Sequence, residues 1–418
     1  LNIYNDNGTG LLVDTKTNGL NTDFTMTGGG SGTVDTTNGT ALFLDPLTMN
    51  LTFGTVTSTN ASGSGVLVDG GDAVGGGGNS ALTIGTLNIS GSSDSGVQII
   101  DSSGDFSFGA TTINNTGTSG GGLEFTAATG DTTNIAFTGG LDIDTSTGTG
   151  ITGGRTGSGT VNFSVAATGT RSINTTTGQG MVLSNVNVGA AGITFANATA
   201  SGTATGNFID LDTIGGSGTL RVNNTSALGV SGTGISIFSS SADFIFNQIS
   251  LGDINAAGPM TYGLNLDGNS GSFTTTASSI IYYAQAAGIR IANAASTFSA
   301  DFQAQIEASN RNDASYTAGG DGLVLTSNNS SSTINMARFV FTEFQRASGP
   351  GGQGIVSNFG GQVTIGGGSV SSNNAMGDGV ASIDIRNTAT NITLDSVAID
   401  TDDPGESGGG IYLQNNTG

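Results

Sequence analysis

The amino-acid sequence predicts an all-β fold, a single right-handed parallel β-helix (a β-solenoid), and three observations lead to it. A glycine followed by two apolar residues with one residue between them recurs along the 418 residues. Two more short segments follow most copies, and apolar and polar residues alternate in each of them. The copies lie about 29 residues apart, a spacing typical of repeat proteins. We therefore predict about 14 coils of about 28 residues, each with three short strands.

The glycine phrase is predicted to begin the first strand of each coil. It is clearest at Gly10-Leu11-Leu12-Val13-Asp14 and at Gly65-Val66-Leu67-Val68-Asp69. Since successive side chains of a strand point to opposite faces, positions one and three after the glycine should point inward. A glycine here suits a corner that needs a positive φ or a close approach of the backbone. We call these residues the anchor glycines: Gly10, Gly39, Gly65, Gly96, Gly122, Gly150, Gly180, Gly206, Gly234, Gly263, Gly288, Gly322, Gly354, Gly379 and Gly410.

The two segments after each anchor are predicted to be the second and third strands. β-Branched and aromatic residues alternate with polar ones in both, and Gly, Asn, Ser and Asp separate them, which is a strand-and-turn pattern. Examples of the second segment are Phe106-Ser107-Phe108, Ile135-Ala136-Phe137 and Val161-Asn162-Phe163. Examples of the third are Leu87-Asn88-Ile89, Leu141-Asp142-Ile143 and Leu228-Gly229-Val230.

One alternative fold is an array of β-sandwiches built from hairpins. Two-residue Asn-Gly or Asp-Gly links between consecutive strands are scarce, which counts against hairpins. A coil of about 28 residues with three strands favours the right-handed helix, because the hexapeptide repeat of the left-handed type is absent. We predict that residues 1–418 form one continuous solenoid and belong to a longer chain, since both ends of the sequence fall within the repeat.

Composition excludes several classes of function. Aspartate and glutamate number 31 against 9 lysines and arginines, a net charge of −22, which disfavours nucleic acid and anionic membranes as partners. No apolar run approaches the 18 residues that a membrane-spanning helix needs. Because the sequence has no histidine and no cysteine, Ser-His-Asp and Cys-His catalytic arrangements and His or Cys metal sites are excluded.

The coils within residues 288–353 are longer than the others and are predicted to carry a lateral loop. Their anchors are followed by 34 and 32 residues, the longest intervals in the chain. Aromatic residues beside arginine could stack on a sugar there. An alternative is that Phe339 and Phe341 are ordinary inward positions and the rest is loop. The candidate ligand-binding residues are Tyr283, Arg311, Arg338, Phe344 and Arg346.

Two pairs of aspartates are candidate metal ligands. Asp142 and Asp144 lie two residues apart, as do Asp210 and Asp212, so each pair shares one face of a strand. Carboxylate oxygens are the ligands that Ca²⁺ prefers. The alternative is a solvated polar ladder, and no other cofactor is expected.

The anchor phrase and the two strands after it resemble the large Gly/Ser/Thr/Asn-rich β-helical surface proteins of bacteria, such as autotransporter passengers and filamentous adhesins. The resemblance covers essentially the whole chain. It implies a protein that lies outside the cell or on its surface, without enzymatic activity, and acts as a structural or adhesive rod. Exposed coil ends and lateral faces would then support self-association into filaments or arrays, with surface glycans as further partners.

A carbohydrate-binding or polysaccharide-degrading protein is the alternative, since right-handed β-helices also include such enzymes. Asn21-Thr22-Asp23 and Asp402-Asp403 resemble two motifs of the polygalacturonase family. In that family the motifs lie on neighbouring coils, but here they would be about 60 Å apart at about 4.8 Å per coil. This separation argues against catalysis, because glycoside hydrolysis needs two carboxyl groups within about 5–9.5 Å.

Overall fold

Every element that the computed structural model describes is a β-strand, and the chain is a parallel β-solenoid of about 12 turns of about 28 residues. This confirms the predicted fold class and is close to the predicted number of coils. The described residues are 1–14, 23–26, 30–45, 48–70, 80–127, 130–155, 157–252, 260–282, 284–309, 320–342, 353–358, 361–371, 382–386, 391–400 and 410–416.

The chain divides into two compact units. Unit 1 comprises Leu1–Thr199 and Thr213–Leu220, and unit 2 comprises Ala200–Asp212 and Arg221–Gly418. The single continuous solenoid stays a prediction. In chain order the strands are β1 Asn2–Asn5, β2 Leu11–Asp14, β3 Asp23–Thr25, β4 Thr33–Thr37, β5 Leu42–Asp45, β6 Thr48–Thr59, β7 Val66–Asp69, β8 Ser80–Ser90, β9 Val97–Ser102, β10 Gly104–Asn115, β11 Leu123–Ala127, β12 Thr132–Phe137, β13 Leu141–Thr145, β14 Ile151–Arg155, β15 Thr160–Val165, β16 Arg171–Thr175, β17 Met181–Ser184, β18 Asn187–Ala204, β19 Ile209–Asp212, β20 Gly215–Gly216, β21 Thr219–Val230, β22 Ile235–Phe238, β23 Asp243–Leu251, β24 Met260–Asp267, β25 Ser272–Thr275, β26 Ser279–Tyr282, β27 Ala284–Ala292, β28 Ser299–Ser309, β29 Asp321–Thr326, β30 Thr333–Thr342, β31 Ile355–Asn358, β32 Gln362–Ile365, β33 Gly368–Ser371, β34 Ile383–Arg386, β35 Ile392–Leu394, β36 Val397–Asp400 and β37 Ile411–Gln414.

The first strands of the coils pair in parallel, each with the first strand of the next coil. In unit 1 this column contains β2, β5, β7, β9, β11, β14 and β17, and in unit 2 it contains β19, β22, β24, β27, β29, β31, β34 and β37. Most strands of this column begin directly after an anchor glycine, as β7 does after Gly65. This confirms that the glycine phrase marks the first strand of a coil. The strands that follow Gly39 and Gly206 begin at Leu42 and Ile209, and Gly379 lies outside the described residues.

The second and third strands form their own parallel columns and confirm the other two predicted segments. In unit 1 they run together as one long strand in β8 and β10, and they separate into β12 and β13 one coil later. Phe106 pairs with Ile135 in the second-strand column, and Ile113 pairs with Ile143 in the third. Unit 2 repeats the arrangement, as in β25 and β26 against β28.

The core of each unit consists of inward side chains stacked coil on coil. The stacked ring centroids of Phe108 and Phe137 are 4.9 Å apart, and the Phe163 ring lies edge-on 6.2 Å beyond Phe137. In unit 2, the Phe273 ring lies 5.9 Å from that of Phe246. Positions one and three after the anchor are inward as predicted, for example Val66, Val68, Val97 and Ile99, which are 0–2% exposed.

One predicted inward residue points outward. Leu228 is 46% exposed, whereas its neighbours Ala227 and Gly229 are buried. The third strand of this coil begins earlier in β21 than predicted: after the corner at Asn223 and Asn224 the inward residues are Thr225 and Ala227, so Leu228 falls on the outer face. A one-residue shift exchanges the two faces of a strand, because side chains alternate with a period of two.

Close packing, and not a positive φ, explains most anchor glycines. A Cβ atom on Gly96, Gly122 or Gly150 would lie 2.4–2.5 Å from the Cγ2 atom of an isoleucine in the third strand of the same coil. No real Cβ atom tolerates that distance, so the side chain of the third strand occupies the space that the glycine leaves. The left-handed corner residues instead end the first strands: Asp101, Asn185, Thr213, Ser239, Asn293, Ser327 and Asn415, with φ between 44° and 57°.

Candidate functional site

Of the five residues predicted to bind a sugar in the longer coils or, for Tyr283, just before them, the structure places Arg338. It is exposed in β30 and pairs with Gln305 of β28. Phe339 and Phe341 beside it are buried, as the alternative interpretation of this region expected. The remaining members of the set lie outside the described residues: Tyr283, Arg311, Phe344 and Arg346.

Asp142 and Asp144 share the outer face of β13, and each accepts a hydrogen bond from the next coil. The hydroxyl of Ser172 donates to Asp142, and Nδ2 of Asn174 donates to Oδ1 of Asp144 over 2.8 Å. The ladder continues when Oγ1 of Thr199 donates to Oδ1 of Asn174, also over 2.8 Å. Uncharged donors one coil away therefore satisfy both carboxylates.

A calcium ion at such a pair would need further oxygen ligands, because Ca²⁺ takes six to eight. Within the described part of the chain, no three acidic or other metal-ligating side chains come together. Asp142 and Asp144 provide two carboxylates on a polar ladder, and calcium binding there stays a prediction.

Asp210 and Asp212 lie on the outer face of the first-strand column of unit 2. Asp210 pairs with Ser236, and Asp212 pairs with Phe238 in β22. The ring of Phe238 is 47% exposed, although aromatic side chains usually contribute to the core. Phe238 in turn pairs with Asp267 of the next coil, so Phe238 occupies the same position in the column as an aspartate on the strand before it and an aspartate on the strand after it.

The arginine of this outer face, Arg290 of β27, is held by three residues of β24. Nη1 of Arg290 donates to Oδ2 of Asp267 and to Oδ1 of Asn265, both over 2.7 Å. Its guanidinium carbon lies 5.7 Å from the centroid of the Tyr262 ring, within the range of a cation–π contact. The ion pair is partly solvated, with 22% and 16% of the two side chains exposed, so its contribution to stability is modest.

We call Asp212, Phe238, Tyr262, Asp267 and Arg290 the outer aromatic surface of unit 2. Sequence reasoning assigned the aspartate Asp212 to a metal pair and did not find the other four as a group. The signal was present: Asp212, Phe238 and Asp267 each follow an anchor by four to six residues on successive coils.

A second arginine forms a bidentate ion pair with an aspartate. Nε and Nη2 of Arg386 donate to the two carboxylate oxygens of Asp384 over 2.6 Å, and Tyr412 lies 5.0 Å from the guanidinium. The hydrogen bond to Asp384 raises the pKa of Arg386 above its ordinary value, and partial desolvation opposes that shift. Since Asp384 is buried and also accepts a hydrogen bond from Gln353, this arrangement stabilises the coil.

Comparisons with family models, curated proteins and solved structures found no match to this chain. A search of the described residues for a helix long and apolar enough to cross a membrane found none. The class of protein that the fold defines is the parallel β-solenoid repeat proteins.

Proposed function

We propose that this chain is a non-enzymatic structural or adhesive β-solenoid that forms a rod or filament outside a bacterial cell or on its surface. One observation supports the proposal most: polar side chains on the outer faces bind their equivalents in the next coil. The ladder in unit 1 that begins at Asp105 illustrates it, with Asn134, Asn162 and Asn187 each donating to the coil before.

Such ladders favour a structural role because they use polar side chains to hold neighbouring coils in register. A hydrogen bond of this kind contributes about 0.5–1.5 kcal/mol, and repetition along the stack adds these small terms. With only 10% charged residues, the outer faces rely on amides and hydroxyls, which the ladders order. A surface of that kind suits lateral packing of one rod on another.

Negative-stain electron microscopy of the native material, beside the purified 418-residue chain, tests the structural role. We expect long fibres of uniform width in the native material, because coil ends and lateral faces would associate. Isolated short particles under both conditions, over a range of protein concentration and salt, would contradict assembly.

Carbohydrate binding is a second candidate function, and the outer aromatic surface of unit 2 favours it. Phe238→Ala should weaken the binding of a polysaccharide to this surface by about two- to tenfold, since ring contacts contribute about 0.5–1.5 kcal/mol beyond their burial. Leu228→Ala is the matched control, because Leu228 is exposed to the same extent, 46%, on a different strand. Release of reducing ends from the same polysaccharides would show degradation instead of binding.

A further inference from the structure

We infer that unit 1 contains a binding site for a neutral oligosaccharide, in a groove on the outer face of its second-strand column. The groove has a volume of about 400 Å³, at the lower end of the range of about 300–1,000 Å³ found for ligand pockets. We call it the amide groove. Its lining consists of Asn134, Ile135, Ala136, Asn162, Ser164, Asn187, Val188, Gly189, Ala190, Gly216 and Ser217.

The backbone creates this groove in two steps. Phe163 pairs with Val188, but Val165 pairs with Ile193, so the chain bulges outward over residues 189–192. In the next coil Gly215 and Gly216 lie opposite Asn187 and Val188, and they have no side chains to cover them.

The gap above Val188 is enforced by the conformation of Gly216. Its φ is 101°, in the region that favours glycine, and a Cβ atom there would lie 2.3 Å from the carbonyl oxygen of Val188. A side chain cannot close this end of the groove without moving the backbone. The exposed residues Ala190 and Ser217 form the lip beside it.

A row of three amides forms the floor. Nδ2 of Asn134 donates to Asp105 and Nδ2 of Asn162 donates to Asn134, both over 2.7 Å, and Nδ2 of Asn187 donates to Asn162 over 3.3 Å. An amide side chain has two N–H donors and two acceptor lone pairs, and the ladder uses one of each at Asn134 and Asn162. The next coil offers Gly215 opposite Asn187, so the ladder stops there and leaves the carbonyl oxygen of Asn187 for a ligand.

The lining selects the chemistry of the ligand. Sugar hydroxyls both donate and accept hydrogen bonds, which matches the paired donor and acceptor of each amide and the hydroxyl of Ser164. No charged side chain lines the groove, and Asp105 at its foot together with the net charge of −22 disfavours anions. No aromatic ring lines it either, which disfavours a nucleobase, because nucleobases are usually held by stacking.

The second row of the floor gives the groove its width. Ala136 pairs with Ser164 in the adjacent coil, and Gly189 follows at the start of the bulge. Ala136, Ser164 and Gly189 are all small residues, so a sugar ring can lie along the amide row without a clash. This inference deepens the adhesive part of the proposed function. It rests on the proposed function only for the premise that the chain meets glycans where it acts.

The test uses the full 418-residue chain and a panel of short neutral oligosaccharides of glucose, galactose, mannose and N-acetylglucosamine, with oligogalacturonates as the anionic comparison. Binding is screened on an array and measured by calorimetry. We expect at least one neutral oligosaccharide to bind. Asn162→Ala should weaken it by about tenfold, since it removes hydrogen bonds to the ligand, and Ala190→Trp should abolish it by filling the groove from the exposed lip.

Two controls make the result specific. Asn174→Ala removes an equivalent half-buried ladder amide outside the groove, and Leu228→Ala removes an exposed apolar side chain of unit 2 that belongs to neither candidate surface; both should leave the affinity unchanged. Circular dichroism and thermal unfolding verify that each variant folds. The inference is overturned if no neutral oligosaccharide binds, if Ala190→Trp binds like the parent chain, or if Asn174→Ala weakens binding as much as Asn162→Ala. A loss confined to Phe238→Ala would support the second candidate function instead, and fibres in the micrographs would be unaffected by any of these outcomes.

Discussion

At the scale of single residues, the anchor glycines show how a coil closes. A Cβ atom on Gly96 would lie 2.4 Å from Cγ2 of Ile113, while the nearest backbone oxygen, that of Gly122, is 3.2 Å away. The clash is therefore mainly with one side chain of the same coil. Most anchors are glycines because of volume, since the space beside them is already filled.

We predict that Gly96→Ala lowers the free energy of unfolding by about 1–3 kcal/mol, the usual cost of overpacking a core. Gly117→Ala is the control, since a Cβ atom there would have no neighbour within 4 Å. Guanidinium denaturation followed by circular dichroism measures both. In the double variant Gly96→Ala/Ile113→Ala, the loss in the free energy of unfolding should be smaller than the sum of the two single losses, because truncation of Ile113 removes the clash. Full additivity would contradict the proposed packing.

Buried asparagines stabilise the corners that follow the first strands in unit 2. Nδ2 of Asn269 donates to the carbonyl oxygen of Ile237 over 2.9 Å, and its Oδ1 accepts from the amide of Ser240 over 2.9 Å. Asn328 makes the same bond to Ile291. The side chain thus links two coils through hydrogen bonds to buried backbone groups.

Replacing Asn269 by alanine should cost about 1–3 kcal/mol, because it removes two hydrogen bonds to buried backbone groups, each of which contributes about 0.5–1.5 kcal/mol. Asn391→Ala, at an exposed side chain in the same unit, should change stability by less than about 0.5 kcal/mol. Thermal unfolding monitored by circular dichroism distinguishes the two. Equal midpoints for the two variants would show that water replaces the lost bonds at Asn269.

At the scale of strands, register is the property on which each coil depends. In β12 the side chains of Ile135 and Phe137 are buried, while that of Ala136 between them faces outward. Both residues pair one-to-one with β10 before and β15 after. A shift of one residue in β12 would move its apolar side chains to the solvent.

We predict that insertion of one glycine between Asn134 and Ile135 prevents cooperative folding, because it exchanges the two faces of β12. The same insertion between Thr116 and Gly117, in an exposed turn, should leave the fold intact with a small loss of stability. Soluble yield and the cooperativity of thermal unfolding are the measurements. A folded β12 variant with an unchanged midpoint would mean that the neighbouring turn absorbs the extra residue.

Alternation made the three strand columns predictable, because a buried face imposes a period of two on every coil. The prediction was wrong at Leu228, because the third strand of that coil has its inward positions earlier, at Thr225 and Ala227, where a threonine and a small alanine give a weak apolar signal. The amide groove could not be predicted either. It depends on a bulge at residues 189–192 and on the bare coil at Gly215 and Gly216, and sequence alone presents these as loop residues. The outer aromatic surface could have been predicted in part. Phe238 and Asp267 lie the same number of residues after successive anchor glycines, so they should pair on neighbouring coils.

At the scale of the whole molecule, charge dominates. The net charge is −22, and the carboxylates are spread over many coils, so the folded chain repels itself at low ionic strength. Salt should weaken that repulsion, because the Debye length falls to about 10 Å at 0.1 M.

We expect the melting temperature to rise by a few degrees between about 10 and 200 mM NaCl. Adding CaCl₂ or MgCl₂ at matched ionic strength separates screening from binding. An extra rise with CaCl₂ that Asp142→Asn removes would establish the predicted calcium site, whereas equal curves would contradict it. A melting temperature independent of NaCl would show that self-repulsion is negligible.

The pairing of Gly96 with Ile113, of Gly122 with Ile143 and of Gly150 with Ile173 has an evolutionary consequence, because each pair lies within one coil. A duplication that copies a whole coil transmits the bulky side chain together with the space that receives it. A junction that falls between the two partners would join an anchor glycine to the third-strand side chain of another coil, which varies in size from Ala308 beside Gly288 to Phe341 beside Gly322. Growth of this chain by duplication, and any attempt to lengthen or shorten it by design, should therefore cut immediately before an anchor glycine.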